Sequence, residues 1–367
     1  LLGGLIALAV AVVAAPAAAR SAASRTWPPF VLVAGLLLIG GVAHEEGTFD
    51  RAAGAAARVG GGSAVLLVAL LGIVAVVTAV LNLDTAVAFF TPVLILAGRR
   101  RGAPQEPFVY GTLFMANAAS LLLPGSNLTN LLVLGAEHIS GATFAARMLP
   151  AWVAAIAVTA GVMLVRARGA PVTAKAESAG AQRRGWLGSA AAAAAALAMM
   201  GLPSAALPVA AIGAVAVAVR RIQHRLSLAD VGSTVDVASL TGLFGLAAAL
   251  GTLAGTWSGP SQLMSRASTW ESAALGALGA VAVNNLPAAA LFSAHPAAHP
   301  RALLIGLDLG PNLAVTGSLS ALLWFQAARR VGMRPSLLTV SKIGVVLVPV
   351  SITAALVALR LFSPSHL

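Results

Sequence analysis

Residues 62–98 contain one charged side chain, Asp84, in a field of Ala, Leu, Val and Ile. No water-facing fold buries many such stretches, and this chain has many. Apolar segments of spanning or near-spanning length recur at roughly 1–19, 27–43, 108–135, 146–165, 186–201, 203–219, 233–256, 302–328 and 336–360. With 59% hydrophobic and 9% charged residues, the bilayer must be the solvent. The segments are rich in Ala, Leu, Val and Gly with little period-2 alternation, so they read as helices and not as strands of a barrel. Gly and Ala also let helices approach closely in lipid. The expected fold class is therefore an all-α polytopic membrane protein.

Two apolar segments, 62–98 and 271–294, read differently from spans. In the first, the arm from Ala86 to Ala97 gives only about 18 Å at helical rise against a hydrocarbon core of roughly 30 Å. A re-entrant hairpin with its tip at Asn82-Leu83-Asp84-Thr85 fits, and 271–294 fits in the same way with its tip at Asn284-Asn285-Leu286-Pro287. Two hairpins plus about nine spans place Arg51, Arg58, Arg99, Arg100, Arg101, Arg166, Arg168, Lys175, Arg183, Arg184, Arg220, Arg221, Arg225, Arg329, Arg330 and Arg334 on one side. Only Arg20, Arg25, Arg147, Arg266, Arg301 and Arg360 fall on the other, with Lys342 within a span and able to snorkel. That asymmetry accounts for the net charge of +12 by the positive-inside rule and points away from nucleic acid. It predicts a multi-pass protein of a bacterial inner membrane with a cytoplasmic N-terminus. Segment 1–19 is too long for a signal-peptide core and reads as a span.

The order span, span, hairpin, polar-interrupted segment, span occurs at 1–165 and again at 203–360. In the first repeat the hairpin is 62–98 and the broken helix 108–135; in the second they are 271–294 and 302–328. Residues 166–202 supply a cytoplasmic linker and a connecting span, and 361–367 a C-terminal tail. One extra span between the halves inverts the second copy, which is the inverted-repeat plan of secondary transporters with a midplane site.

Four polar clusters interrupt the apolar background: Asn82/Asp84/Thr85; Asn117/Ser120 running into Ser126, Asn127, Thr129 and Asn130; Asn284/Asn285; and Asp308/Asn312 running into Thr316 and Ser318. Each has Gly or Pro nearby, at Pro92, Pro124-Gly125, Pro287, and Gly310-Pro311 with Gly317. Broken helices free backbone groups that lipid cannot satisfy, and Ser, Thr and Asn side chains can satisfy either them or a bound solute. Isolated intramembrane hydroxyls and amides commonly only glue helices together; four clusters recurring once per hairpin and once per broken helix favour a polar cavity. Asp84 and Asp308 are the acids well inside apolar segments, where an ionised carboxylate is costly unless paired, solvated or protonated. Both are candidate proton or cation carriers, and Asp84 is alternatively a cap for the helix after it.

No cysteine is present, which excludes disulfides, thiolate metal sites and Cys nucleophiles. His44, His295 and His299 have no partner at metal-ligand spacing, so neither metal nor cofactor is expected. Glu45-Glu46 and Asp50, beside Arg51 and Arg58, suit an interfacial helix. An intramembrane enzyme would need a set such as H-E-x-x-H or G-x-S-x-G, and neither occurs in a span.

The strings A-x-L-N-L-D-T-A-V-x-F-x-T-P-V at 79–93, A-N-A-A-S-L-L-L-P-G-S-N-L-T-N-L at 116–131, V-N-N-L-P at 283–287 and D-L-G-P-N-L-x-x-T-G-S-L-x-x-L-L-W at 308–324 resemble the arsenite/antimonite permease family of the ion transporter superfamily. The resemblance implies alternating-access export of arsenite or antimonite in exchange for protons, in some members with a soluble ATPase partner. It implies substrate contacts from the tips and broken helices named above, with Asp84 and Asp308 coupling to protons. The departures are Asn117, where many members carry an acid, and a shorter N-terminal region. The rival on the same fold is a sodium- or proton-coupled carrier of another inorganic or carboxylate anion, which would use the positive ends of half-helices because no basic side chain lies in the clusters.

Overall fold

The computed structural model describes residues 1–58, 61–135, 139–168, 185–202, 204–223 and 237–362, with no strand among them. The helices are α1 Leu2–Ala14, α2 Pro16–Glu45, α3 Thr48–Arg58, α4 Ser63–Val80, α5 Leu83–Arg100, α6 Glu106–Ala119, α7 Leu128–Leu134, α8 Gly141–Ala167, α9 Leu187–Gly201, α10 Ala206–Ile222, α11 Val237–Thr256, α12 Gly259–Arg266, α13 Thr269–Val283, α14 Asn285–Phe292, α15 Pro300–Leu309, α16 Leu319–Arg330 and α17 Leu337–Phe362. Among the described residues, α2, α4, α8, α11 and α17 are long and apolar enough to cross a membrane.

Both hairpins double back. The ends of α4–α5 meet where Arg101 Nη1 donates to the Gly61 carbonyl at 3.4 Å. Polar bonds gather the neighbouring loops on that face: Arg99 with Gln105 and the Val331 carbonyl, Arg166 with Glu106, Arg51 with the Gly185 carbonyl, and Arg220 with Glu46. The α13–α14 pair begins and ends on the opposite face, where Arg25 donates to the Ala294 carbonyl. The breaks lie where the sequence places them. Pro124 starts a short 3-10 turn between α6 and α7, and Gly310-Pro311 starts another between α15 and α16.

Close approach of small residues holds the second hairpin to its broken helix. A Cβ on Gly306 would lie 2.0 Å from the Ala273 carbonyl oxygen, and one on Gly310 would lie 2.6 Å from Ala277 Cα. Small residues four apart, Gly306 on α15 and Gly310 just past its end, thus face small residues four apart on α13, the small-xxx-small contact by which helices associate in lipid. Two indole donors pin the α6 side: Trp152 Nε1 donates to Ala119 O at 3.0 Å and Trp324 Nε1 to Val109 O at 2.7 Å.

Several expectations need correction. The first apolar segment, expected as a span over 1–19, is a 13-residue helix ending at Ala14, and the expected loop with Arg20 and Arg25 is the start of the 30-residue α2. Ala-rich sequence keeps those arginines helical, and α2 continues through Pro28 and Pro29. The second arm of the first hairpin is 18 residues, not twelve, because the tip residues from Leu83 and the arginines at its far end join the helix. Glu46, expected at an interfacial surface, is 2% exposed and accepts from Gly188 N at 2.8 Å. Residues 169–184 of the expected linker, 233–236 of one expected span and 363–367 of the expected tail lie outside the described residues.

Candidate functional site

Asn82 ends the first hairpin's ascent in an extended conformation, and its Oδ1 accepts from Thr85 N at 2.7 Å. The cap of α5 is therefore Asn82, while Asp84, in the first turn, makes no side-chain hydrogen bond among the described residues. At the second tip Asn284 adopts φ 77° and ψ 148°, a region that side chains rarely occupy. The surroundings hold it there: its Oδ1 accepts from Leu286 N at 3.3 Å, and its Nδ2 donates to the Thr316 carbonyl at 3.2 Å. Thr316 in turn reaches back to the Val281 carbonyl at 3.4 Å, so hairpin and broken helix are tied reciprocally.

The two broken helices cross at Asp308, which is fully buried. Its Oδ1 accepts from Asn127 Nδ2 at 2.9 Å and Thr129 Oγ1 at 2.6 Å, and its Oδ2 lies 3.1 Å from Ser120 Oγ. Ser120 has one hydroxyl proton and two acceptors in reach, Asp308 and the Asn117 carbonyl at 2.9 Å. With the hydroxyl turned to Asp308 the site suits a carboxylate; with it turned to Asn117, Ser120 accepts from a protonated Asp308. Either protonation state keeps the network intact. Beside it Asn117 Nδ2 donates to Asn312 Oδ1 at 2.7 Å and Asn312 Nδ2 to Phe114 O at 3.3 Å, while Asn117 Oδ1 is buried without a partner. Ser126 does local work: its hydroxyl bonds the Ser120 and Leu123 carbonyls and accepts from Leu123 N, holding the unwound turn.

A cavity of about 30 Å³, room for no more than a couple of waters, lies between the tips and the breaks. Its wall includes Leu83 and Asp84 from the start of α5, Asn127 and Leu128 from the start of α7, Asn284 to Leu286 from the start of α14, and Ser318 to Ser320 from the start of α16. Four helices thus turn their amino ends on one small space. Such ends carry unsatisfied N–H groups and a partial positive charge suited to an anion. Asn285 lines the cavity, is 5% exposed, and has no hydrogen-bond partner among the described residues. No basic side chain lines it, and Asp84 is its one acid among the described residues.

Of the residues expected at the site, Asp84, Asn127, Asn284, Asn285 and Ser318 share this cavity; Asn117, Ser120, Thr129, Asp308 and Asn312 form the crossing behind it. Thr85 and Asn82 are buried in the first tip and Ser126 in the first break, and Thr316 braces the second tip. Sequence reasoning missed Ser320, which lines the cavity and bonds Ser318 at 2.8 Å; Asn130, the last residue of the expected cluster, holds the Ser120 and Leu123 carbonyls through its Nδ2. Ser320 stands to Ser318 as Thr129 does to Asn127, two residues on, and that register was the available signal.

The family model CitMHS, described as a citrate transporter, matches residues 1–310. A search of curated proteins finds no match. Among solved structures, the YdaH transporter of Alcanivorax borkumensis, noted for an unusual topology, is similar over 95% of this chain and 88% of its own, at 14% identity and a TM-score of 0.60. That similarity is one of fold. The family match falls on carriers of a carboxylate anion and not on the arsenite permeases that the motifs resemble.

Proposed function

This chain belongs to the CitMHS family of citrate transporters, and from that premise we propose that it is a proton-coupled secondary carrier of a small carboxylate anion held between the hairpin tips. The observation that carries the reading is the meeting of helix amino ends on a cavity that also holds unpartnered Asn285 and the acid Asp84. Amide dipoles supply the positive potential that a basic side chain would otherwise provide. An ionised Asp84 repels a second carboxylate in that space; protonated, it donates a hydrogen bond to one. Proton binding and anion binding therefore assist each other, which is the coupling a symporter needs. Asp308 is the second proton group, positioned by donors from the other broken helix.

The cavity is far smaller than a tricarboxylate, so the structure corresponds to a closed state and loading requires the tips to part. We take 1–165 and 203–360 as the two repeats that move, and the arginine-rich face as cytoplasmic in a bacterial inner membrane. A second reading, arsenite or antimonite exchange for protons, is favoured by the absence of a basic side chain among the described residues that line the cavity, since arsenite at neutral pH is an uncharged trihydroxide; a soluble ATPase partner belongs to that reading alone. Purified protein in liposomes separates them. Radiolabelled citrate should accumulate when a pH gradient is imposed and not when it is collapsed. Gradient-driven movement of arsenite with no movement of citrate or other carboxylates would overturn the carboxylate reading.

A further inference from the structure

A second void, of about 570 Å³, opens on the face opposite the arginine-rich loops. It is walled by α2 from Ala22 to Leu32, the end of α7, the turn between α9 and α10, and the end of α14. Leu132 and Ala290 on its wall lie four residues beyond Leu128 and Leu286, which line the hairpin-tip cavity. Four residues of helix rise about 6 Å, so the partition between the two spaces is one helical turn thick. That partition is apolar: Leu128, Leu286 and Ala290 pack with Phe30, Val33 and Leu37 of α2 in one buried cluster. Pro28 and Pro29 have no N–H to offer the carbonyls of Ser24 and Arg25, which leaves polar backbone on the wall of the void. Arg25 is the one ionisable side chain among the described residues that line it, and its bond to the Ala294 carbonyl at 3.1 Å holds it beside the end of the second hairpin.

We propose that this void is the vestibule through which the anion reaches the hairpin tips, with Arg25 as its recruiting cation and the Leu128–Leu286–Phe30 cluster as its closed gate. The proposal rests on the carboxylate reading above and adds the route, the side of entry and a specificity-determining residue. Its volume suits a small organic anion with water, in the usual range for ligand pockets. A cation at the mouth of a low-dielectric funnel raises the local concentration of anions, an effect that salt screens.

The chain has no cysteine, so single cysteines report without background. In intact cells, Ser204→Cys at the vestibule should react with both an anionic and a cationic membrane-impermeant methanethiosulfonate. Ser320→Cys, in the hairpin-tip cavity behind the gate, should react with neither in the absence of substrate. Adding Arg25→Gln to Ser204→Cys should lower the anionic-to-cationic rate ratio on the order of tenfold at low ionic strength, with high salt erasing the change and Arg25→Lys preserving the ratio. In citrate uptake, Arg25→Gln should raise KM for substrate on this face and leave kcat unchanged. A ratio indifferent to Arg25→Gln, equal reactivity at Ser320→Cys and Ser204→Cys, or labelling of Ser204→Cys only in inverted vesicles overturns the vestibule. These thiol readouts need no transport, so a failure of citrate uptake with the labelling pattern intact refutes the carboxylate reading and not the vestibule.

Discussion

Replacing Asp308 by Asn removes a proton site without removing a hydrogen-bond site. In the native crossing Asp308 Oδ1 accepts from Asn127 and Thr129, and Oδ2 faces Ser120 at 3.1 Å. An Asn oxygen can keep the first two bonds, and its amide can donate to Ser120 Oγ while the Ser120 hydroxyl turns to the Asn117 carbonyl. Bonds to a charged acceptor contribute about 1.5–3 kcal/mol each and neutral ones about 0.5–1.5. Their weakening is opposed by relief from burying an ionised carboxylate. The net change in stability for Asp308→Asn should therefore stay within about 2 kcal/mol. Asp308→Ala instead leaves two buried donors, Asn127 Nδ2 and Thr129 Oγ1, without that acceptor while Ser120 turns to the Asn117 carbonyl, at about 1–3 kcal/mol each, or roughly 2–6 kcal/mol together. Thermal melting of the detergent-purified variants should rank native and Asn close together and Ala well below. In liposomes the Asn variant should bind substrate but show no uptake driven by a pH gradient. Gradient-driven uptake by Asp308→Asn at the native rate would refute the proton role. An Asn variant melting as low as Ala would refute the proposed exchange of hydrogen bonds.

Asp84→Asn should leave the tip folded, because Asn82 makes the cap, and should flatten the pH dependence of substrate binding: KM should rise with pH in the native protein and should not in the variant. A KM that still climbs with pH in Asp84→Asn would assign that dependence elsewhere. Glu46→Ala strands Arg220, 8% exposed, and the Gly188 N–H, and should destabilise the fold by about 3–5 kcal/mol, with Glu46→Gln milder because it keeps the bond to Gly188; melting temperatures decide. Gly306→Ala puts a methyl group into the Ala273 carbonyl and should abolish monodisperse protein on gel filtration, whereas Gly72→Ala, with open space around it, should be silent or slightly stabilising. Equal behaviour of the two would mean that α13 and α15 do not pack as described.

Much of this architecture was legible because its causes are local. Pro124 and Gly310-Pro311 start the two 3-10 turns that interrupt the broken helices, and Asn82 and Asn284 cap the helices that follow them by contacts of two or three residues. Boundaries in Ala-rich sequence were less legible. Pro16 starts α2 and holds Ala15 out of the helical region, so α1 ends there, while around Arg20 and Arg25 nothing local stops a helix and α2 runs on through them. The resemblance to arsenite permeases captured the superfamily, while the match over 1–310 moved the substrate class toward carboxylates.

By itself the sequence determined that the chain lives in a bilayer, that its helices break at four polar clusters, and that Asp84 and Asp308 must be accommodated there. Helix breaking, capping and the cost of a charge in lipid depend on a residue and its near neighbours. Only the tertiary structure decided that Asp308 is held by Asn127 and Thr129, which lie 181 and 179 residues away, while Asp84 is left to face the cavity. It alone brought helix amino ends from both halves onto one space and set a single apolar turn between that space and the void at Arg25. Those relations depend on how helices cross, which is set by small residues meeting across the bundle and not by any one segment.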